Sequence, residues 1–409
     1  MRLLLIHQAF ASMNEPGGTR HHELARYLAS QGHQISIIAS PISYLTGKNT
    51  GSGRVETDMN GKISIYRTYT YPALHRSFIH RLISFFSFMA SSFFTAIKIK
   101  DVDIIWGTSP PIFQSFTAWL VSAFKRVPFL FEIRDLWPEF AIAVGVLKNK
   151  LLIKLSLWLE KFLYRRADKI MVNSPGYIKH IKNKGGKDIT LIPNSADVSF
   201  FSPDDHVQLR RKLGWEDKFI VLYAGAHGMS NDLQTLIQAA NILSDQPEIK
   251  IVCIGDGKEK QNLITLVNSL SLKNVEFIDP VSKNQIAGYL YAADICTAIL
   301  KPIEMYKTTY PNKVFDYMAV GKPILLAIDG VIREVVETSG CGKFCTPGNP
   351  QAIADGITDM FKHRSDLKTM GEKGRVYLIE HFDRTKIANT FSDMINNLVS
   401  THVSKETNH

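Results

Sequence analysis

Cysteine is scarce in this chain of 409 residues: four are present, at positions 253, 296, 341 and 345. Cys253 and Cys296 lie inside strand-like apolar runs, where a thiol is normally buried. Cys341 and Cys345 are too few and too widely spaced for a zinc site without partners, and no further His/Cys pair lies nearby. A disulfide scaffold and a zinc module are therefore excluded, and reduced thiols in a cytoplasmic protein are expected. The opening MRLLLIHQAF has too short an apolar run for a signal peptide, and it leads into a polar glycine-containing loop instead of a small-residue cleavage site. There is no fixed-period repeat and no low-complexity segment. No Walker sequence, complete G-x-G-x-x-G or G-x-S-x-G elbow occurs, which argues against ATP, NAD and serine-hydrolase chemistry. Acid is outnumbered by base, 38 Asp+Glu against 48 Lys+Arg, for a formal net charge of +10. That balance favours an anionic partner. The bases are dispersed and match no nucleic-acid module, so sugar nucleotides and acidic lipid headgroups rank above nucleic acid.

What is present is an alternation of strands and helices that occurs twice. LLLI, a loop through Glu15, Pro16, Gly17 and Gly18, the helix RHHELARYLASQG and the strand QISIIAS make a βαβ unit. DIIW, PFLFEI, KIMVN and ITLI continue it. A polar, proline-containing join at 192–205 follows, and FIVLYAG, LQTLIQAANIL, IKIVCIG, VEFID, DICTAIL and ILLAI restart the pattern. The expected fold is α/β with two Rossmann-like, doubly wound parallel-sheet domains, 1–197 and 198–375. A C-terminal helix at about 376–400 is expected to pack back on the first domain. Open parallel sheets bind ligands at the carboxyl ends of their strands, so a cleft between two such edges is the expected site.

Several strand ends carry chemistry-bearing residues. Gly17 and Gly18 follow the first strand, and Gly225 and Gly228 hold the equivalent place in the second half; such loops let backbone amides approach a phosphate. In IGDGKEKQNL, Lys258 and Lys260 open a helix where a cation could meet a diphosphate. FEIRDLWPEF brings Arg134, Asp135, Trp137 and Glu139 to a strand end. In TTYPNKVFDYMAVGKPILLAI, a helix is expected between Pro311 and Gly321. Lys313, Asp316, Tyr317 and Val320 share one face of it, with Val314, Phe315 and Met318 on the sheet side. Asp101 and Asp103 mimic a metal-binding D-x-D, but they stand at the start of a strand, away from the ligand edge. His21 and His22 are adjacent and diverge on a helix, so they cannot ligate one ion together. The segment at 78–100, FIHRLISFFSFMASSFFTAIKIK, is too short for a span once Arg81 is excluded. It reads either as a buried domain helix or as an interfacial helix with bases near headgroups.

These segments together resemble glycosyltransferase family 4: EPGGTRHHELARYLASQGH, TSPP, RDLWPE, IPNSAD, IGDGKEKQNL and PNKVFDYMAVGKPIL occur in the family's order and spacing over nearly the whole chain. The resemblance looks closest to bacterial O-antigen and capsule enzymes, including N-acetylfucosaminyl transferases. It implies the GT-B fold and retaining, metal-independent transfer of a sugar, with N-acetyl-L-fucosamine or another N-acetylhexosamine as the example. The donor it implies is a UDP-sugar and the acceptor a polyprenyl-diphosphate-linked saccharide, at the cytoplasmic face of the inner membrane. No cofactor or metal is implied. The donor-binding residues it implies are Gly17, Gly18, Gly225, His227, Gly228, Lys260, Ile278, Pro280, Asn312, Lys313, Val314 and Asp316. Asp316 stands for the carboxylate that accepts the ribose hydroxyls, and the other acid of the family's pair falls on Thr308. Lys260, Asp135 and Glu139 are the candidate catalytic residues, Lys260 for the leaving diphosphate and the two acids for acceptor or sugar contacts. Arg76, Arg81, Phe85, Phe86 and Lys98 are candidate acceptor or membrane contacts. The alternatives are a UDP-sugar 2-epimerase of the same fold, and a non-enzymatic two-lobed binding protein.

Overall fold

Two units divide the chain: Met1–Ser12, Gly18–Pro193 and Thr385–His409 form the first, and Met13–Gly17 with Asn194–Arg384 the second. The computed structural model describes residues 1–15, 17–49, 51–73, 78–201 and 206–406. The break falls at 193/194, against 197/198 expected from the join, and the return to the first unit begins at Thr385.

The first unit runs β1 (Arg2–Ile6), α1 (Arg20–Ser30), β2 (Gln34–Ala39), β3 (Val55–Asp58), β4 (Ile63–Arg67), α2 (Phe78–Lys98) and β5 (Ile104–Ser109). It continues through α3 (Ile112–Lys125), β6 (Phe129–Ile133), α4 (Glu139–Ala143), α5 (Lys150–Arg166), β7 (Lys169–Val172), α6 (Ile178–Asn183) and β8 (Ile189–Leu191). Its sheet order is β3-β4-β2-β1-β5-β6-β7-β8, parallel except for β3 against β4. The β3–β4 hairpin, VETD followed by ISIYR, is too polar and too short to stand out by periodicity. The chain winds outward from β1 in one direction and from β5 in the other. Right-handed crossovers then place α1 on one face and α2, α3 and α5 side by side on the opposite face. Gly107 lets α3 close on β5, since a methyl group there would stand 2.6 Å from Ala118 Cβ.

The second unit contains α7 (His206–Lys212), β9 (Phe219–Ala224), α8 (Leu233–Ile242), β10 (Ile249–Ile254), α9 (Lys260–Ser269), β11 (Val275–Ile278) and α10 (Lys283–Ala292). Then come β12 (Ile295–Ile299), α11 (Asn312–Val320), β13 (Ile324–Ala327), α12 (Val331–Ser339), β14 (Gly342–Phe344), α13 (Pro350–Lys362) and α14 (Leu367–His381). The sheet order β11-β10-β9-β12-β13-β14 is wholly parallel, and its winding reverses between β9 and β12. Side-chain alternation splits the core. Ile220 and Leu222 of β9 face α10, α11 and α12, whereas Val221 and Tyr223 face α8 and α13. The last helix, α15 (Arg384–Glu406), packs Ala388, Phe391 and Ile395 beside Leu24 and Leu28 of α1 in the core of the first unit. All four cysteines are buried free thiols.

Candidate functional site

At the strand ends of the second unit, the α11 helix opens at Pro311, which sits at the cap position and not within the first turn, and no side chain caps it. It stops at Gly321, whose φ of 73° is a left-handed cap. Val314, Phe315, Tyr317, Met318 and Val320 are all buried, so of the polar side expected from sequence only Lys313 and Asp316 remain half-buried.

Lys313 is the unusual group. Its residue is half-buried, but its ammonium is closed off from solvent and has no hydrogen-bond partner. It lies 3.7 Å from the centroid of the Tyr223 ring. A methyl group on Gly225 would stand 2.8 Å from it, so glycine keeps the approach open. Burial pulls its pKa down to about 7; the Tyr223 π face offsets part of the lost hydration.

The neighbouring loops are zipped together by backbone. His227 N–H donates to Asp256 O at 2.8 Å, Glu259 N–H to His227 O at 2.9 Å, and Gly225 N–H to Ile254 O at 2.9 Å. Gly255 has φ 142° and would bring a Cβ to 1.9 Å from Gly225 O, so only glycine fits there. The His227 ring is fully buried with neither nitrogen partnered, and burial together with the Lys260 and Lys313 cations lowers its pKa to about 4. Asn312 Oδ1 is also buried without a partner. Buried polar atoms are ordinarily satisfied, so three such groups at one strand edge point to a ligand that completes them.

The remaining expected donor residues are placed as follows. Lys260 Nζ is 2.7 Å from Asp279 Oδ1, an exposed partner whose hold is weak and exchangeable. Asp316 Oδ1 receives Lys283 Nζ at 2.7 Å. Lys283, which is buried and also lies 5.1 Å from the Phe201 ring, is the partner that sequence reasoning misses. Its only sequence signal is the capping box between Ser282 and Gln285 that sets the start of α10. Ile278 uses its carbonyl on Gly255 N–H, Pro280 and Gly228 are half-buried, and the Val314 N–H turns to Pro311 O. Thr308 donates to Met305 O, and Glu304 is exposed and paired with Lys307. Gly18 N–H donates to the Tyr44 hydroxyl at 3.0 Å, and Gly17 has φ 142°. Pro16 lies outside the described residues.

The strand ends of the first unit hold a buried ionic network. Glu132, fully buried in β6, accepts from Arg20 Nε at 3.2 Å, His21 Nε2 at 2.6 Å and Trp106 Nε1 at 3.2 Å. Burial alone would raise its carboxyl, but His21, Arg20 and Arg134 overcome this and hold it well below the carboxylate range. Arg20 bears a permanent charge that keeps Glu132 ionised. His21, lowered by burial, serves as a neutral donor. Arg134 donates to Thr108 Oγ1 at 2.9 Å and Pro110 O at 3.1 Å, and meets His7 Nε2 at 3.1 Å. His7 Nδ1 and Asn173 Oδ1, after β1 and β7, are buried and unpartnered.

Asp135 follows Arg134, and burial raises its carboxyl to about 6 despite Arg134. Glu139, expected beside Asp135 as a substrate contact, is instead tied into a cluster with Lys184, His180 and Glu160. That cluster contains the one group of three potential metal ligands among the described residues, and the Lys184 ammonium already bridges its two carboxylates. His21 and His22 diverge, to Glu132 and Asp58. Asp101 and Asp103 pair with Arg2 at the N-terminal edge of the sheet. On α2, Phe86 is exposed and Phe85 stacks on Phe113; Arg81 and Lys98 are exposed, with Arg81 on the helical phase of buried Ser84 and Phe88. Arg76 lies outside the described residues.

Two parallel-sheet units of this topology are the GT-B fold. Residues 17–195 match the family described as "Glycosyl transferase 4-like domain", and residues 205–377 that described as "Glycosyl transferases group 1". Between them these account for most of the chain, which is a glycosyltransferase. WcaI of Escherichia coli (strain K12), a glycosyl transferase provisionally assigned to colanic acid biosynthesis, is 24% identical over 86% of this chain and 90% of its own. Among solved structures, the sucrose-phosphate synthase of Thermosynechococcus elongatus superposes with a TM-score of 0.79 at 18% identity, over 98% of this chain and 99% of its own. HepE of Anabaena, solved with UDP and glucose, gives 0.73 at 18% identity over 97% and 100%. Curated relatives named as glycosyltransferases, WcaI among them, do not favour an epimerase.

Proposed function

We propose that this glycosyltransferase moves a sugar from a UDP-sugar to a polyprenyl-diphosphate-linked saccharide during polysaccharide synthesis, with retention and without a divalent metal. The observation that carries the donor half is the buried, unpartnered Lys313 ammonium beside the uncapped N-terminus of α11. A diphosphate supplies the counter-charge that this cation lacks, and helix N–H groups add to it. Negative charge grows on the departing diphosphate in an oxocarbenium-like transition state, so Lys313 and Lys260 stabilise it where a metal would otherwise serve. Asp316, held by Lys283, accepts the ribose hydroxyls, for which a carboxylate is suited because it takes two hydrogen bonds at once. Asp135 is the acceptor-side or sugar contact. Complexes of HepE with UDP and UDP-glucose support the donor class, and the assignment of WcaI to colanic acid synthesis supports a polysaccharide product. N-acetylhexosamines, including N-acetyl-L-fucosamine, are the first sugars to screen. The reading places the enzyme at the cytoplasmic face of the inner membrane.

Calorimetry against a panel of UDP-sugars, followed by transfer assays on polyprenyl-linked acceptors with and without EDTA, tests this. Transfer that survives EDTA is expected; turnover abolished by EDTA and restored by manganese would contradict it. Asp316→Asn should weaken uridine and UDP alike by about tenfold or more, the scale of a hydrogen bond to a charged group. Unchanged uridine affinity would remove the ribose role.

A pH dependence follows from Lys313. Its folded pKa of about 7 lies below its ordinary 10.5, so the ligand-free protein loses this proton as pH rises through 7. Diphosphate binds the charged form, so UDP affinity should fall above pH 7, by up to tenfold per unit. Binding at pH 8 should take up a proton, read as a dependence of the calorimetric enthalpy on buffer ionisation. The sign for folding is opposite. The unfolded chain keeps this proton up to about its ordinary value, so stability of the ligand-free protein rises with pH from about 7 to 10.5.

A further inference from the structure

The helical layer formed by α2, α3 and α5 has an outer surface that the described residues leave uncovered. On α2, Ile79, Ile83, Phe86 and Phe94 recur at one helical phase and are 44–67% exposed. On α5, Leu151, Leu155 and Trp158 repeat the arrangement at i, i+4 and i+7 and are 52–65% exposed. The stripes are joined by rings across the layer. Phe86 meets Phe113 of α3 at 5.6 Å, Trp119 of α3 meets Phe162 of α5 at 4.7 Å, and Phe162 stacks on Trp158 at 5.4 Å. A soluble face of this composition is unusual, since singly scattered apolar residues are normal and ordered stripes are not.

Its charges are of one sign. α2 and α3 contain no Asp or Glu, and the one acid of α5, Glu160, is buried and paired with Lys184. Lys154, Lys161 and Arg165 flank the α5 stripe, and Lys98 flanks that of α2. No described helix is long and apolar enough to cross a membrane. Apolar stripes with Trp and Phe, bordered by bases and free of exposed acid, have the composition of a face that lies in a bilayer interface.

We infer that the outer face of α2, α3 and α5 docks on an anionic lipid bilayer, with α5 and its Leu151–Leu155–Trp158 stripe as a second anchor beside α2. The occupant is a lipid surface and not a second copy of this chain, because two such faces would bring like charges together, whereas anionic headgroups complement them. The docking extends the reading of a lipid-linked acceptor and rests on it for its purpose, though not for its observations.

The test is flotation of the full chain with vesicles of phosphatidylcholine alone or with phosphatidylglycerol, none containing an acceptor, alongside UDP calorimetry. Wild type should float with phosphatidylglycerol vesicles and not with phosphatidylcholine alone, and salt should release it. Leu155→Ser with Trp158→Ser should lower partitioning about tenfold or more. Lys154→Gln with Lys161→Gln should lower it on the order of fivefold per charge. Val376→Ser, at an exposed apolar position of α14, should leave it unchanged, and all these variants should keep wild-type UDP affinity. Absence of flotation with UDP affinity intact would overturn the docking while sparing the donor assignment. Loss of UDP binding in wild type would sink the donor assignment alone. A wild-type dimer by sedimentation that the α5 substitutions dissociate, without flotation, would assign the face to a second copy and also overturn the docking.

Discussion

Lys313→Met is expected to lower kcat/KM by roughly 10²–10³, the cost of removing one preorganised charge partner of a developing anion. It should weaken UDP far more than uridine, since the lost contact is to phosphate. The same substitution should raise the melting temperature of the ligand-free protein near neutral pH, because it deletes an ammonium that is buried without a hydrogen-bond partner. Opposite signs in affinity and stability separate this role from a structural one. A structural lysine would lose both together, and only a ligand-directed one is strained until its ligand arrives. Activity and UDP affinity unchanged in Lys313→Met would contradict the assignment.

Glu132→Ala should destabilise the first unit by about 3–5 kcal/mol, the range for removing one partner of a buried ion pair. The side chain is fully buried and holds Arg20, His21 and the Trp106 indole at once. Arg20 also ties to the carbonyls of Ile192 and Pro193, so its loss loosens the end of the unit as well as the start of α1. Chemical denaturation monitored by tryptophan fluorescence reads the effect; a change under 1 kcal/mol would show that Arg20 and His21 find other partners. The depressed carboxyl gives a matching acid dependence. Stability from Glu132 is present above its ordinary pKa of 4.5 and is lost as pH falls below it.

The twin sheets are legible in the chain because each central strand is a short apolar run such as LLLI or IVCI, buried on both faces and leading into a glycine-containing loop. The helix from Asn312 to Val320 is legible from its proline and glycine limits, though the burial of Tyr317 and Val320 is not, since that depends on which helices flank α11. Glu132 inside FLFEI advertises a buried carboxylate, but its partners on α1 and β5 are distant in sequence. Asp135 and Glu139 look equivalent four residues apart. Only the packing of α5 and α6, which bring Glu160, His180 and, just past the end of α6, Lys184 to Glu139, separates them. Lys283 is beyond sequence reading for the same reason, because its meeting with Asp316 is made by two helices brought together on one sheet face.

Diffraction from crystals of the protein grown with UDP tests the central claim most directly. The account predicts the diphosphate within hydrogen-bond distance of Lys313 Nζ and the first N–H groups of α11, with the ribose hydroxyls on Asp316. UDP bound with its phosphates away from Lys313, the ammonium still unpartnered, would contradict it.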